Sequence, residues 1–184
     1  MKKVIIEILD WIKTFVVIFV IVTVVHKYIF TPVKVDGASM YPTLHHEDTV
    51  VLWELFYEPK AFDVIVFEYE PDVFYVKRVI GLPGDKVRYE DDQLYVNDVR
   101  QEEPYLETGK KTMFYTDHFT FDFTLDEICQ FETCDVIPEG YYLVLGDNRP
   151  NSKDSRQFGL ISEDQILGEA VLVNWPLERM GKIE

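Results

Sequence analysis

Residues 73–85 read VFYVKRVIGLPGD, and the fold turns on how this stretch is read. Phe74, Tyr75, Val76, Val79 and Ile80 are aromatic or β-branched, and the glycines and proline of GLPGD (81–85) stop any helix, so the run is a strand entering a turn. In a strand Lys77 and Arg78 point to opposite faces. Segments of the same character recur on either side: TVVLWELF (49–56), FDVIVFEY (62–69), QLYVNDV (93–99), FTFDFTL (119–125), YYLVLG (141–146) and AVLVNW (170–175). Their apolar residues alternate or run continuously and seldom follow a 3.6 period, while EDDQ (90–93) and IPEG (137–140) supply turns. The spacing predicts an all-β domain from about residue 31 to 184, with no internal repeat and no low-complexity linker. The stretch from about 101 to 134 is less regular and reads as a flap-like excursion, by itself a decorated surface loop.

Ahead of this domain, TFVVIFVIVTVV (14–25) carries no charge, and the apolar run extends from Trp11 to Phe30. That is about the twenty residues that cross a bilayer as helix, with Lys13, His26 and Lys27 placed to snorkel. A buried core helix, a cleaved secretory signal and an in-plane amphipathic helix are the competing readings. The run has no polar face for the first and last, and Thr31–Asp36 offers no pair of small residues for cleavage. Residues 1–30 are therefore expected to be an amino-terminal tip and a transmembrane anchor. Lys2, Lys3 and Lys13 before its centre, against Lys27 and Lys34 after it, favour a cytoplasmic amino terminus by a small margin.

The whole chain has 184 residues, is 47% hydrophobic and 28% charged, and carries a net charge of −15. That balance fills a core, and the negative charge speaks against binding nucleic acid. Cys129 and Cys134 could pair in an oxidising compartment or stay as thiols in a cytosol. No Cys/His cluster points to a metal, and no cofactor is expected. His45-His46-Glu47-Asp48 reads as a solvated turn.

Ser39 lies in GASMYPTL (37–44), and a serine in such a turn becomes a nucleophile only if a base reaches it. None of the four histidines is compelling. His26 belongs to the anchor, His45 and His46 to the acidic turn, and His118 shares an exposed face with Thr116 and Thr120. Lys77, amid apolar neighbours, is the other candidate base. Lowering a lysine pKa to neutrality takes roughly three units, or about 4 kcal/mol, within reach of full burial. On residue chemistry alone an exposed lysine is the commoner outcome. The third polar concentration is GDNRPNSKDSRQFG (146–159), denser in fork-shaped donors and acceptors than a turn requires.

Taken in order, VDGASMYPTL (35–44), FDVIVF (62–67), YVKRVIGLPGD (75–85) and GDNRPNSKDSRQFG (146–159) resemble the motifs of the type I signal peptidases, membrane-anchored serine proteases of the Ser-Lys kind. Phe62 stands where the second motif usually has glycine. The resemblance runs from the anchor to Trp175 and implies a mainly antiparallel β fold carrying its site on an apolar, membrane-facing surface. It also implies the Gram-positive bacterial arrangement, a single amino-terminal span in the cell membrane with an extracytoplasmic catalytic domain. The implied substrates are signal peptides of secreted preproteins, bound extended and cut after small residues of Ala-X-Ala type. On this resemblance Ser39 is the nucleophile, Lys77 the general base, and Ser152 the hydroxyl that orients the lysine. Asp147 with Arg78, and Asp154 with Arg156, are the bracing ion pairs. The Ser39 amide is an oxyanion donor, whereas Gly37 stands where some members add a hydroxyl. The substrate strand is expected between Val35, Asp36, Gly37 and Ala38 on one side and Phe74, Tyr75, Val76 and Lys77 on the other, with Met40 nearby. A monomer in contact with the bilayer is expected. Two readings compete: an inactive relative that binds surface proteins during assembly, and a self-cleaving Ser-Lys repressor. Retention of both Ser39 and Lys77 weighs against the first, and the anchor and acidic charge weigh against the second.

Overall fold

Val79 and Ile80 are neighbours in sequence but belong to different hydrophobic clusters, and this single fact organises the architecture. In the computed structural model, which describes residues 2–28, 30–113, 117–131 and 134–183, they sit on strand β4 (Val73–Gly81). Val79 packs with Ile65, Phe67, Tyr142, Val144 and Ile161; Ile80 packs with Val87, Tyr89, Leu143 and Leu145. Both faces of the sheet are therefore covered here, which is why the run from Lys77 to Gly81 is buried without alternation. Strand β3 (Val64–Glu70) follows the same rule, with Val64 and Val66 facing one cluster and Ile65 and Phe67 another.

The remaining strands are β1 (Phe30–Lys34), β2 (Thr49–Trp53), β5 (Val87–Glu90), β6 (Gln93–Val96), β7 (Val99–Gln101), β8 (Phe123–Thr124), β9 (Tyr141–Leu145), β10 (Ile161–Ser162), β11 (Ile166–Trp175) and β12 (Gly181–Lys182). They form one sheet in the order β1-β2-β11-β3-β4-β9-β10, with β12 on β11, and a second in the order β7-β6-β5-β8. Among the described residues the strand pairings are antiparallel throughout. Helices are α1 (Lys2–Tyr28), α2 (Glu107–Thr112), α3 (Leu125–Ile128) and α4 (Ser155–Phe158), the last three being short turns between strands. The fold is mainly antiparallel β.

Three expectations change. The segment 119–125 keeps only Phe123 and Thr124 as strand, because Asp92 takes the amides of Phe119 and Thr120 and fixes a loop there instead. His118 therefore lies outside any strand, and Thr116 lies outside the described residues. The 101–134 stretch is no mere surface decoration: Leu106, Phe119, Phe123, Leu125 and Cys134 are buried, and β8 pairs with β5. The acidic turn is only half solvated. His46 and Glu47 are exposed, but Asp48 is buried, bonded to the His45 amide at 2.8 Å and to Arg179.

Of the expected membrane span Trp11–Phe30, residues 11–28 fall in α1, residue 29 lies outside the described residues and Phe30 begins β1, where it pairs with Trp53. Among the described residues no helix is long and apolar enough to cross a membrane; side chains of residues 1–6, 9, 21 and 24–30 lie outside them, so the stretch Trp11–Phe30 is described in part.

Candidate active site

The turn bearing Ser39 is held from below and from the side. Met40 and Leu44 sink into the cluster of Val35, Val50, Leu52, Val64 and Val66, and the turn closes through Tyr41 N–H to Ala38 O and Leu44 N–H to Met40 O. Gly37 enters it at φ 95°, a left-handed conformation that favours glycine. From the side, Asn148 donates its backbone N–H to Ser39 O at 3.0 Å and its side-chain amide to Ala38 O at 2.9 Å. Ser39 itself remains half-buried at the surface of the turn.

Strand β4 brings Lys77 to it. Lys77 is 3% exposed, and its Nζ lies 2.7 Å from Ser39 Oγ and 2.9 Å from Val76 O. Burial disfavours the ammonium and lowers the pKa to about 8, although the charges of Asp154 and Asp147 pull it back upward. A buried amine of that basicity, in bonding distance of a hydroxyl, can accept its proton near neutral pH. The described histidines have other partners. His45 stacks on Tyr41, His46 Nδ1 accepts the Gly37 amide at 3.2 Å, and His118 lies 3.9 Å from Asp92; the His26 side chain is outside the described residues.

On the opposite face of β4, Arg78 is 1% exposed and forks onto Asp147, with bonds of 2.9 and 2.7 Å. Thr43 donates to the same carboxylate, and Arg78 also bonds Phe62 O and covers the Tyr105 ring. Asp154 caps α4 by accepting the Arg156 backbone N–H, and it receives two further bonds from the Arg156 guanidinium and one from the Gly146 amide. Burial pushes the Asp154 carboxyl up, but the Arg156 bonds and charge, the Gly146 amide and the Ser152 hydroxyl outweigh it and hold the pKa down.

Ser152 follows the turn Arg149–Asn151 in the same loop. Its Oγ is buried and makes no well-formed hydrogen bond among the described residues; it is near enough to Asp154 to influence that carboxyl, while Lys77 bonds Ser39 and Val76. Gly146 explains the closeness of the loop to the nucleophile, since a side chain there would collide with Ser152 Oγ and Ser39 O.

A groove of about 430 Å³ opens beside Ser39. Val35, Asp36, Gly37, Ala38 and Met40 line one side, Phe74, Tyr75, Val76 and Lys77 the other, and Asn151 and Lys153 reach its rim. Strand pairing accounts for the opening. Strand β9 pairs with Arg78, Val79 and Gly81 of β4, so among the described residues no strand pairs with Phe74–Lys77 on that edge. An extended peptide fits such an edge by adding a strand.

Sequence reasoning missed one network. Arg149, buried, donates to Gly146 O at 3.1 Å, to Glu103 at 2.6 Å, to Thr120 at 3.2 Å and to the Tyr89 hydroxyl. It ties the 101–134 stretch to the loop that carries Asp147 and Ser152. The density of donors in residues 146–159 was the only signal; nothing local to Glu103 identifies it as the partner.

The signal peptidase, peptidase S26, family model matches residues 8–175. Signal peptidase IB of Staphylococcus aureus (strain COL) is 46% identical over 180 residues, 96% of this chain and 92% of that protein. Signal peptidase I S of Bacillus subtilis (strain 168) is 40% identical over 182 residues, 96% of this chain and 94% of that protein. A crystal structure of a signal peptidase I from Enterococcus faecalis V583 superposes with a TM-score of 0.55 at 42% identity, covering 61% of this chain and 97% of that one. With that extent of identity added to the motifs and the fold, the chain belongs to the signal peptidase family S26 and is a serine endopeptidase of the type I signal peptidase kind.

Proposed function

We propose that the chain removes signal peptides from secreted preproteins at the membrane surface, using Ser39 as nucleophile and Lys77 as general base. The observation that carries this reading is the 2.7 Å approach of a buried amine to the Ser39 hydroxyl. With Lys77 neutral, the Ser39 O–H donates along that contact, Oγ attacks the scissile carbonyl, and the proton passes to Nζ. The same ammonium then protonates the departing amine, and the neutral amine that remains activates water to release the acyl group. The Ser39 amide has no acceptor among the described hydrogen bonds and is free to receive the oxyanion. The Gly37 amide is occupied by His46. Asp147 with Arg78 and Asp154 with Arg156 hold the two walls of the site in register, while Ser152 lies beside them as the orienting hydroxyl.

The groove supports an extended substrate with small side chains at the first and third positions before the cut, because Ala38, Val76 and Val35 leave shallow apolar space. We assign residues 1–30 to a cytoplasmic tip and anchor and 31–184 to an extracytoplasmic catalytic domain. Helix α1 runs 27 residues, about 40 Å at the rise of an α-helix, and supports this reading. Its described side chains from Trp11 to Val20 are exposed and almost all apolar, Trp11, Phe15 and Phe19 among them. Water is a poor solvent for such a surface and lipid a good one.

The decisive assay uses the full chain in detergent and a preprotein with an Ala-X-Ala site. Cleavage is expected with wild type and is expected to vanish in Ser39→Ala and in Lys77→Ala, each folded. Activity that survives Lys77→Ala but is lost in His45→Ala or His46→Ala would overturn the assignment of the base.

A further inference from the structure

Cys129, Gln130 and Cys134 do not line the groove beside Ser39 and Lys77, yet Gln130 grips the segment that leads out of the catalytic loop. The two cysteines are joined as a disulfide with Cα atoms 6.1 Å apart, and Cys134 is buried in the cluster that contains Leu125, Ile137 and Leu160. Gln130, next to the first cysteine, lays its side-chain amide along the backbone of Leu160. Its Nε2 donates to Leu160 O at 3.0 Å and its Oε1 accepts the Leu160 N–H at 2.8 Å. One primary amide thereby serves both backbone groups of a buried residue, as a neighbouring strand would. Gly159 makes the approach possible: its φ is 83°, and a side chain on it would collide with Gln130 Oε1.

Leu160 follows α4 by two residues, and α4 is capped by Asp154. Asp154 binds the Gly146 amide, and Gly146 lies against both Ser152 Oγ and Ser39 O. The clamp is thus continuous, through one short helix and one carboxylate, with the wall of the active site. We propose that Gln130, held by the Cys129–Cys134 bridge, is a positioning residue for the Ser39–Lys77 reaction, fixing segment 152–160 against Lys77 so that opening the bridge loosens the site. The inference rests on the roles given to Ser39 and Lys77 above. Opening is a balanced reduction: a dithiol supplies two electrons and two protons, the S–S bond becomes two thiols, and the dithiol becomes a disulfide.

The charges that act on Lys77 are those of Asp154 and Asp147, each paired with an arginine, Arg156 and Arg78. Lys153 sits over the same Tyr75 ring that Lys77 faces. A loosened 152–160 segment admits water to Lys77 and keeps it protonated to higher pH. A purely structural role for Gln130 would lower the folded fraction and leave the pH profile in place.

The test measures kcat and KM for preprotein cleavage by the full chain in detergent between about pH 6 and 10. Wild type is compared with Gln130→Ala, Gln130→Glu, the Cys129→Ser/Cys134→Ser pair and Lys77→Ala, with circular dichroism to count folded protein. Gln130→Ala is expected to lower kcat roughly tenfold near neutral pH, to change KM by less than about twofold, and to move the acid limb upward. Gln130→Glu, which keeps the acceptor and loses the donor, is expected to fall between. Wild type reduced with dithiothreitol and the double serine variant are expected to match Gln130→Ala, and the reductant is expected to add nothing to the double variant. An acid limb unmoved in Gln130→Ala and Gln130→Glu, with any loss tracking the folded fraction, overturns the proposal alone. So does a double serine variant with the wild-type profile. Wild-type activity in Lys77→Ala overturns the underlying reading, and this proposal with it.

Discussion

Lys77 is the residue on which stability and chemistry conflict. Its amine has an ordinary pKa of 10.5 and is lowered to about 8 by burial, so the folded chain binds fewer protons than the unfolded chain between those values. Stability therefore rises with pH across that window, and the cost of the buried lysine is fully present below it. The shift corresponds to about 3 kcal/mol. Lys77→Met is expected to abolish cleavage yet to raise Tm at pH 7, with the advantage over wild type shrinking as pH climbs from about 8 to 10.5. In wild type, kcat/KM is expected to rise with pH and inflect near 8. A Lys77→Met chain less stable than wild type at pH 7, measured by thermal unfolding, would mean that Nζ gains more from Ser39 and Val76 than its burial costs. The residue type was legible in VFYVKRVI, where an apolar setting marked Lys77. That its nitrogen reaches Ser39 was not, because a separation of 38 positions carries no distance information.

Strand β4 shows how far an element can be read locally. Its residues, its end at GLPGD and the opposed directions of Lys77 and Arg78 follow from side-chain types and a period of two. Its uneven burial does not, since exposure at Val73 and Phe74 and burial from Lys77 onward reflect where β9 begins to pair. The 101–134 stretch is the converse case, since its irregular sequence reads as a surface excursion while Leu106, Phe119, Phe123 and Leu125 within it are buried. Its role as a wall of the catalytic loop depends on Arg149 meeting Glu103, side chains 0% and 5% exposed. Removing one charge from a pair so placed leaves the other buried without its partner. Glu103→Gln is expected to cost about 3 kcal/mol and to lower Tm by roughly 6–12 °C. An unchanged Tm in thermal unfolding would show that Tyr89, Thr120 and Gly146 O satisfy Arg149 by themselves.

At the scale of the molecule, one long helix precedes a β domain whose exposed surface includes Phe56, at 93%, with Trp175, Leu177 and Met180. The anchor reading makes a direct prediction. The full chain expressed in bacteria is expected to stay in the membrane pellet through alkaline carbonate extraction and to leave it only with detergent. Release by carbonate would reduce α1 to a surface attachment. The apolar run within α1, the strands β2, β3, β4, β6, β9 and β11 and the polar loop at 146–159 were settled by the sequence alone, because side-chain type and spacing fix local conformation and solvent preference. Only the tertiary structure decided that Lys77 meets Ser39, that Ser152 lacks a well-formed bond, that Arg149 finds Glu103 and that Gln130 clamps Leu160. Each of these is a contact between remote stretches, and only the pairing of strands and the shared burial of their faces set those distances.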